Sequence, residues 1–184
     1  DCDFSSYRLL ILADEFIMDE KTNKKINDFV KQGGKLFCTY KAGLLLDNNF
    51  PEWWICQNQG ENEYNPSYFI NDTLNNIKHN EIIMHSSSLK VVNNGGKVLA
   101  YEGQPFYQRT YAHYYSHYQA PLNKKTTDPV LIEDDFMIYS TFPLFFLYKE
   151  IGNVMYKKII VESIKRLLGN ESVFKSIKNN RLML

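Results

Sequence analysis

Residues 7–43, YRLLILADEFIMDEKTNKKINDFVKQGGKLFCTYKAG, limit the possible folds more than any other stretch of the chain. Arg8 opens a short, nearly continuous apolar run, Leu9-Leu10-Ile11-Leu12-Ala13, the pattern of a strand buried on both faces as in a parallel sheet. Asp19 stands where a helix N-cap belongs, and Glu20 follows it beside the positive end of the helix dipole. Ile26, Phe29 and Val30 then share one helical face. Gly33 occupies the place of a left-handed, helix-ending residue, and Lys35-Leu36-Phe37-Cys38-Thr39-Tyr40 reads as a second strand. Two parallel strands joined by a helix cross over right-handed, so the rest of the sheet is expected to grow from this unit.

A chain of 184 residues suits one domain with a substantial core. The formal net charge is zero, which removes the electrostatic case for a nucleic acid or an acidic membrane as partner. No apolar run reaches the roughly 18 residues that span a bilayer. Cys2, Cys38 and Cys56 are odd in number and show no paired spacing, so neither a disulfide framework nor a zinc site is expected. The chain begins at Asp1 rather than Met, and it is expected to be a piece of a longer protein.

Beyond residue 43 the pattern loosens. Residues 44–54, with Leu44-Leu45-Leu46 and Trp53-Trp54, fit a buried helical turn or a loop against a neighbour. Residues 57–66, QNQGENEYNP, read as a polar surface loop that carries Glu61 and Glu63. Ile82-Ile83-Met84 and Lys90-Val91-Val92 are short strand candidates. The turn signal Asn93-Asn94-Gly95-Gly96, followed by Val98-Leu99-Ala100-Tyr101, predicts a hairpin added to the parallel core. Residues 135–142 read as a further strand. The spacing of Tyr156, Ile160, Ile164, Leu167 and Leu168 predicts a helix over 154–168 that ends at Gly169. The domain is therefore expected to occupy 1–169, with 170–184 as an extended tail that leads towards a further domain.

A reactive thiol needs a sharp strand-to-helix elbow with small neighbours and a histidine within reach. Cys38 lies on a strand between Phe37 and Thr39-Tyr40, so no elbow is expected around it, and Cys56 also lacks glycine neighbours. His79-Asn80-Glu81 has the spacing of an amidotransferase dyad but comes early in the chain. No catalytic residue, metal ligand or cofactor is assigned. Residues 104–121, QPFYQRTYAHYYSHYQAP, hold five tyrosines, one phenylalanine, two histidines and one arginine. His113 and His117 would share a face on a helix, but a third metal ligand is missing. Rings interleaved with Arg109, His113, Ser116 and His117 suit a carbohydrate or a domain interface, since sugars stack on aromatics and take hydrogen bonds from such groups. Tyr107 completes the candidate set, and an aromatic loop packed on its own domain is the alternative.

Two of these segments carry a resemblance. The Tyr7 strand, Ala13, the Asp19-Glu20 helix start, Phe29-Val30, Gly33-Gly34, Thr39-Tyr40 and Gly43 together resemble the trimerisation domain of bacterial beta-galactosidases. Pro105, Phe106, Tyr107, Arg109, Thr110, His113, Ser116, His117 and Pro121 are similar to a segment of related glycoside hydrolases, some of them alpha-L-fucosidase-like, with Gln108 where Asn is expected. The resemblance implies an α/β fold, a three-layer sandwich around a mainly parallel sheet. That is the class I glutamine-amidotransferase-like (flavodoxin-like) architecture, without amidotransferase chemistry. It also implies a non-catalytic accessory and oligomerisation role beside a catalytic barrel, with homo-oligomers and possible carbohydrate as partners. A stand-alone sugar-binding module or an amidotransferase-like enzyme are the alternatives.

Overall fold

The computed structural model describes residues 3–169 apart from His79, Arg109, Tyr115 and Tyr118. The expected tail over 170–184 lies outside the described residues, as does Cys2. In chain order the elements are β1 (Leu9–Leu12), α1 (Glu20–Lys31), β2 (Lys35–Thr39), β3 (Cys56–Glu61), β4 (Ser67–Asn71) and β5 (Glu81–Met84). They continue with β6 (Leu89–Asn93), β7 (Lys97–Pro105), β8 (Leu122–Glu133), β9 (Met137–Ser140), α2 (Leu144–Ile151) and α3 (Val154–Leu168). Among the described residues no helix is long and apolar enough to cross a membrane.

The first unit forms as its sequence dictates. The Asp19 carboxylate accepts from the Thr22 N–H at 2.8 Å and caps α1. At the other end the Gly34 N–H reaches the Phe29 carbonyl at 3.0 Å and the Gly33 N–H reaches the Val30 carbonyl at 2.9 Å, the paired bonds of a Schellman stop. β1 and β2 pair in parallel, with Leu10 opposite Leu36. Alternate side chains of β2 then face two different helical layers. Leu36 and Cys38 pack with Ile26 and Phe29 of α1 and with Met137 and Tyr139 of β9. Phe37 packs with Ile138, with Leu144 and Leu147 of α2, and with Tyr156 and Ile159 of α3. β1 differs from expectation: it is the edge strand of the sheet, Ile11 is 43% exposed, and only Leu12 is buried.

The sheet as a whole is mixed rather than mainly parallel. Its strand order is β1-β2-β9-β8-β7-β4-β5. Only β1–β2 and β2–β9 are parallel. The pairings β9–β8, β8–β7, β7–β4 and β4–β5 are antiparallel. The cause is connection length. α1 provides the long crossover that a parallel pair needs, whereas β8 reverses into β9 through a tight turn in which the Asp134 carboxylate accepts from the Phe136 and Met137 N–H groups at 2.9 and 2.7 Å.

The expected hairpin is also corrected. Asn93 does build the turn, accepting from the Gly96 N–H at 2.9 Å and donating to the Gly96 carbonyl at 2.7 Å. The strands on either side do not pair with each other. β6 pairs with β3 in a separate two-stranded sheet, and β7 pairs with β4 and β8. The turn hands the chain from one sheet to the other. β3 falls in the stretch expected to be a surface loop; it is a strand whose outer residues meet solvent.

The glycine pair after α1 gives a graded prediction. Gly33 has φ +92° in open space, so Gly33→Ala should cost only the left-handed strain, about 1–2 kcal/mol. A Cβ on Gly34 would meet the Phe29 ring at 2.3 Å inside the core. Gly34→Ala should therefore be the more destabilising change, by up to about 3 kcal/mol, because the ring must leave its packed position. Urea denaturation midpoints of the two variants check the order.

Candidate functional site

The aromatic stretch is the loop that joins β7 to β8. Its base is closed by the Phe106 N–H donating to the Pro121 carbonyl at 3.1 Å and by the Tyr68 hydroxyl donating to the Ala120 carbonyl at 2.8 Å. At its tip the Thr110 N–H meets the His113 carbonyl at 2.8 Å, and the His113 N–H meets the Thr110 hydroxyl at 3.1 Å. His113, Ser116 and His117 are exposed, and Tyr107 is half-buried. The described residues of the loop form bends and no helix, so the i, i+4 spacing of His113 and His117 does not place them on a helical face. Tyr111 is fully exposed, Tyr114 is 73% exposed and Phe106 62%, a run of rings facing solvent. Arg109 lies outside the described residues.

Gln108 fastens this loop to its neighbour. Its amide donates to the Glu63 carbonyl at 2.8 Å and accepts from the Asn65 N–H at 2.9 Å. A side chain that pairs with both groups of a passing backbone acts as a clasp. Gln108→Ala should cost about 1–2 kcal/mol for the two lost bonds. It should also raise the rate of proteolysis within 105–121, read by mass spectrometry of the first cleavage products.

Beside the clasp, a cleft of about 390 Å³ separates the two-stranded sheet from the antiparallel half of the main sheet. One wall carries Glu61, Asn62, Glu63, Tyr64 and Lys90; the other carries Glu102, Gln104, Thr126 and Asp128. The Lys41 ammonium sits 2.7 Å from the Glu61 carboxylate and, with the Tyr40 hydroxyl, holds that carboxyl below the usual range. Glu102 is 4% exposed, and burial pushes its carboxyl up. Glu61 and Glu63 are legible in the sequence as part of a polar stretch, whereas Glu102 and Gln104 do not stand out there as site residues. Their signal was a charged and an amide residue two apart on a strand otherwise reading VLAY.

A second cavity, about 400 Å³, opens at the carboxyl ends of β1 and β2, lined by Asp14, Glu15, Tyr40, Ser86, Pro143 and Phe146. This is the end of a parallel sheet where ligands of α/β folds bind. Asp14 accepts from the Thr39 hydroxyl and from the Phe146 N–H, both at 2.6 Å, and thereby supplies the cap that α2 lacks at Pro143. Burial raises its carboxyl.

The strand-to-turn elbow exists, but two residues beyond Cys38. Tyr40 has φ +54°, a conformation that costs a bulky residue on the order of 1–3 kcal/mol. It is held there by its N–H to the Ser140 carbonyl at 2.7 Å, by the Tyr139 hydroxyl on its own carbonyl, and by its hydroxyl on Glu61 at 3.0 Å. The elbow residue is thus a phenol rather than a thiol. Cys38 and Cys56 are fully buried free thiols, and burial pushes both well up. In the folded protein neither should be alkylated by iodoacetamide at pH 8, and both should react after unfolding in guanidinium, as peptide mapping would show.

Residues 1–51 match the family described as the beta-galactosidase trimerisation domain. Over 47 residues the chain is 38% identical to beta-galactosidase BbgII of Bifidobacterium bifidum, a match that covers 26% of this chain and 7% of that protein. Alpha-L-fucosidase isoenzyme 2 from Paenibacillus thiaminolyticus superposes with a TM-score of 0.86 at 25% identity, covering 93% of this chain and 26% of that one. The beta-galactosidase from Bacillus circulans sp. alkalophilus shares the fold at a TM-score of 0.56 and 16% identity, covering 86% of this chain and 24% of that one. The chain thus spans about a quarter of the length of these solved relatives. Over its first 51 residues the chain is thus similar in sequence to the beta-galactosidase trimerisation domain, and over most of its length it shares the fold of a region of these glycoside hydrolases.

Proposed function

We propose that this chain is a non-catalytic accessory and oligomerisation domain of a multidomain glycoside hydrolase, packed beside a catalytic barrel that supplies the acid and base. One observation carries this reading: a chain that matches a trimerisation domain at its N-terminus superposes over 93% of its length on a region that makes up 26% of an alpha-L-fucosidase. The elbow at Tyr40 supports it, since the position that would hold a nucleophile is filled by a hydrogen-bonded phenol. Helices on both faces of β1, β2 and β9 support the finer reading of the fold, a three-layer, flavodoxin-like core of the class I glutamine-amidotransferase type. On this reading the antiparallel strands are an extension of that core.

The same proposal places the 105–121 loop against a partner, either the barrel or another subunit. Its rings gain apolar burial there, and Arg109, His113, Ser116 and His117 reach partner carbonyls, carboxylates or a bound sugar. Tyr107 belongs to the same substrate or interface set. Burying such polar groups without partners would cost about 1–3 kcal/mol each, which favours an interface over the domain's own core. In the full-length protein, Arg109→Ala and His117→Ala should weaken assembly or raise KM several-fold while leaving the melting temperature within a few degrees of the parent. Light scattering, kinetics and thermal unfolding of the same variants test this. A large drop in melting temperature with unchanged assembly and kinetics would overturn the interface reading.

A further inference from the structure

Two β-sheets that face each other normally close over apolar side chains. Here the small sheet and the main sheet do so over only part of their contact. Leu89 and Val91 of β6 pack with Ile132 of β8 and with Cys56 of β3 in a single apolar cluster. Beside this cluster Glu61, which pairs with Leu89, and Lys90, which stands between Leu89 and Val91, line one side of the 390 Å³ cleft, and Glu102, Gln104 and Asp128 line the other. The fold packs part of this interface with apolar side chains, so the polar cleft beside them calls for another cause.

Glu102 is the informative group. It lines the cleft, is 4% exposed, and among the described residues takes part in no ion pair. One of its oxygens accepts from the Ser88 hydroxyl at 2.9 Å, and Ser88 is itself oriented by the Asn62 amide at 2.6 Å. The Ser67 hydroxyl and the charge of Lys90 also favour the carboxylate, but burial outweighs them, and the carboxyl group lines the cavity. Around it the cleft offers further acceptors in Glu61, Glu63 and Asp128, donors in Lys90 and Gln104, and the ring of Tyr64, whose hydroxyl accepts from the Gln104 amide.

We propose that this cleft between the two sheets binds a neutral polyhydroxylated ring of monosaccharide size. Hydroxyl groups are the ligands that satisfy an acceptor-rich wall and a donor such as Lys90 at once, because each both donates and accepts. With Glu61 paired to Lys41, the carboxyl groups of Glu63, Glu102 and Asp128 still outnumber Lys90 and disfavour an anion. No group of three or more His, Cys, Asp or Glu among the described residues converges closely enough to hold a metal ion. Tyr64 supplies a face for the apolar side of the ring. The inference does not rest on the assembly reading, since it concerns a cavity contained within this chain.

The test is isothermal titration of the full chain with methyl β-D-galactopyranoside and with L-fucose, with spermidine as a cationic probe. Saturable binding of at least one sugar in the millimolar range is expected, with spermidine weaker. Glu102→Gln should weaken sugar binding by about tenfold or more, because it removes a charge-assisted acceptor. Its melting temperature should be no lower than the parent's, since an unpaired buried charge is also removed. Gln104→Ala, at a half-buried position, should weaken binding several-fold and serves as the reporter if the first variant does not fold. The proposal is overturned if no sugar binds at about 50 mM, well beyond the millimolar range. It is equally overturned if spermidine binds more tightly than either sugar, or if Gln104→Ala and any folded Glu102→Gln bind as the parent does. Assembly of the full-length protein is read separately by light scattering, so either proposal can fail without the other.

Discussion

The burial of β2 from Leu36 to Thr39 is the constraint on which the rest of the molecule depends. Leu36, Phe37 and Cys38 are each at 0% exposure, and they face alternately into two clusters. That requires helices on both faces of one strand, which α1 supplies on one side and α2 with α3 on the other. It also requires hydrogen-bonded neighbours on both edges, which β1 and β9 supply in parallel. The strand's end is equally determined. The Thr39 hydroxyl bonds Asp14, Asp14 caps α2, and the Tyr40 carbonyl takes the Tyr139 hydroxyl. A chain arranged in this way has a rigid elbow at the carboxyl end of its central parallel strand, whatever residue sits there.

What sits there separates fold from chemistry. The same elbow in an enzyme would present a nucleophile held by a base. Here it presents Tyr40, whose hydroxyl is engaged with Glu61, and the nearby thiols lie inside the apolar layer. Polar investment has moved instead to the antiparallel half of the molecule. The Gln108 clasp, the inward-facing Glu102 and the exposed rings of the 105–121 loop all lie on or beside β7 and β8. These strands pair with one another along most of their length, which gives the loop and the cleft a common, stiff base.

The legible parts of the sequence were those whose signals are local. β1, α1 and β2 announce themselves through an apolar run, Asp19 and the Gly33-Gly34 pair, and α3 through its stripe and its stop at Gly169. Non-local choices were not legible. The 93–96 turn is real, but no residue within it states that β6 will turn to β3 rather than to β7. β3 reads CQNQGE because nearly all its side chains past Cys56 face solvent, so it lacked both hydrophobic alternation and β-branched residues. The first half of β8, LNKKTT, hides for the same reason, and Pro129 further along obscures the rest. At the candidate site the loop could be found from its composition. Its clasp, and the carboxylate of Glu102 behind it, depend on contacts between residues some 40 positions apart in the case of Gln108 and Asn65.

Removing the domain from the full-length protein tests the central claim, assembly without catalysis, most directly. The account predicts that a variant lacking residues 1–169 falls to a smaller oligomer or a monomer by light scattering, while circular dichroism shows that the remaining barrel is folded. Retention of the parent's oligomeric mass by the folded, truncated protein would contradict the account.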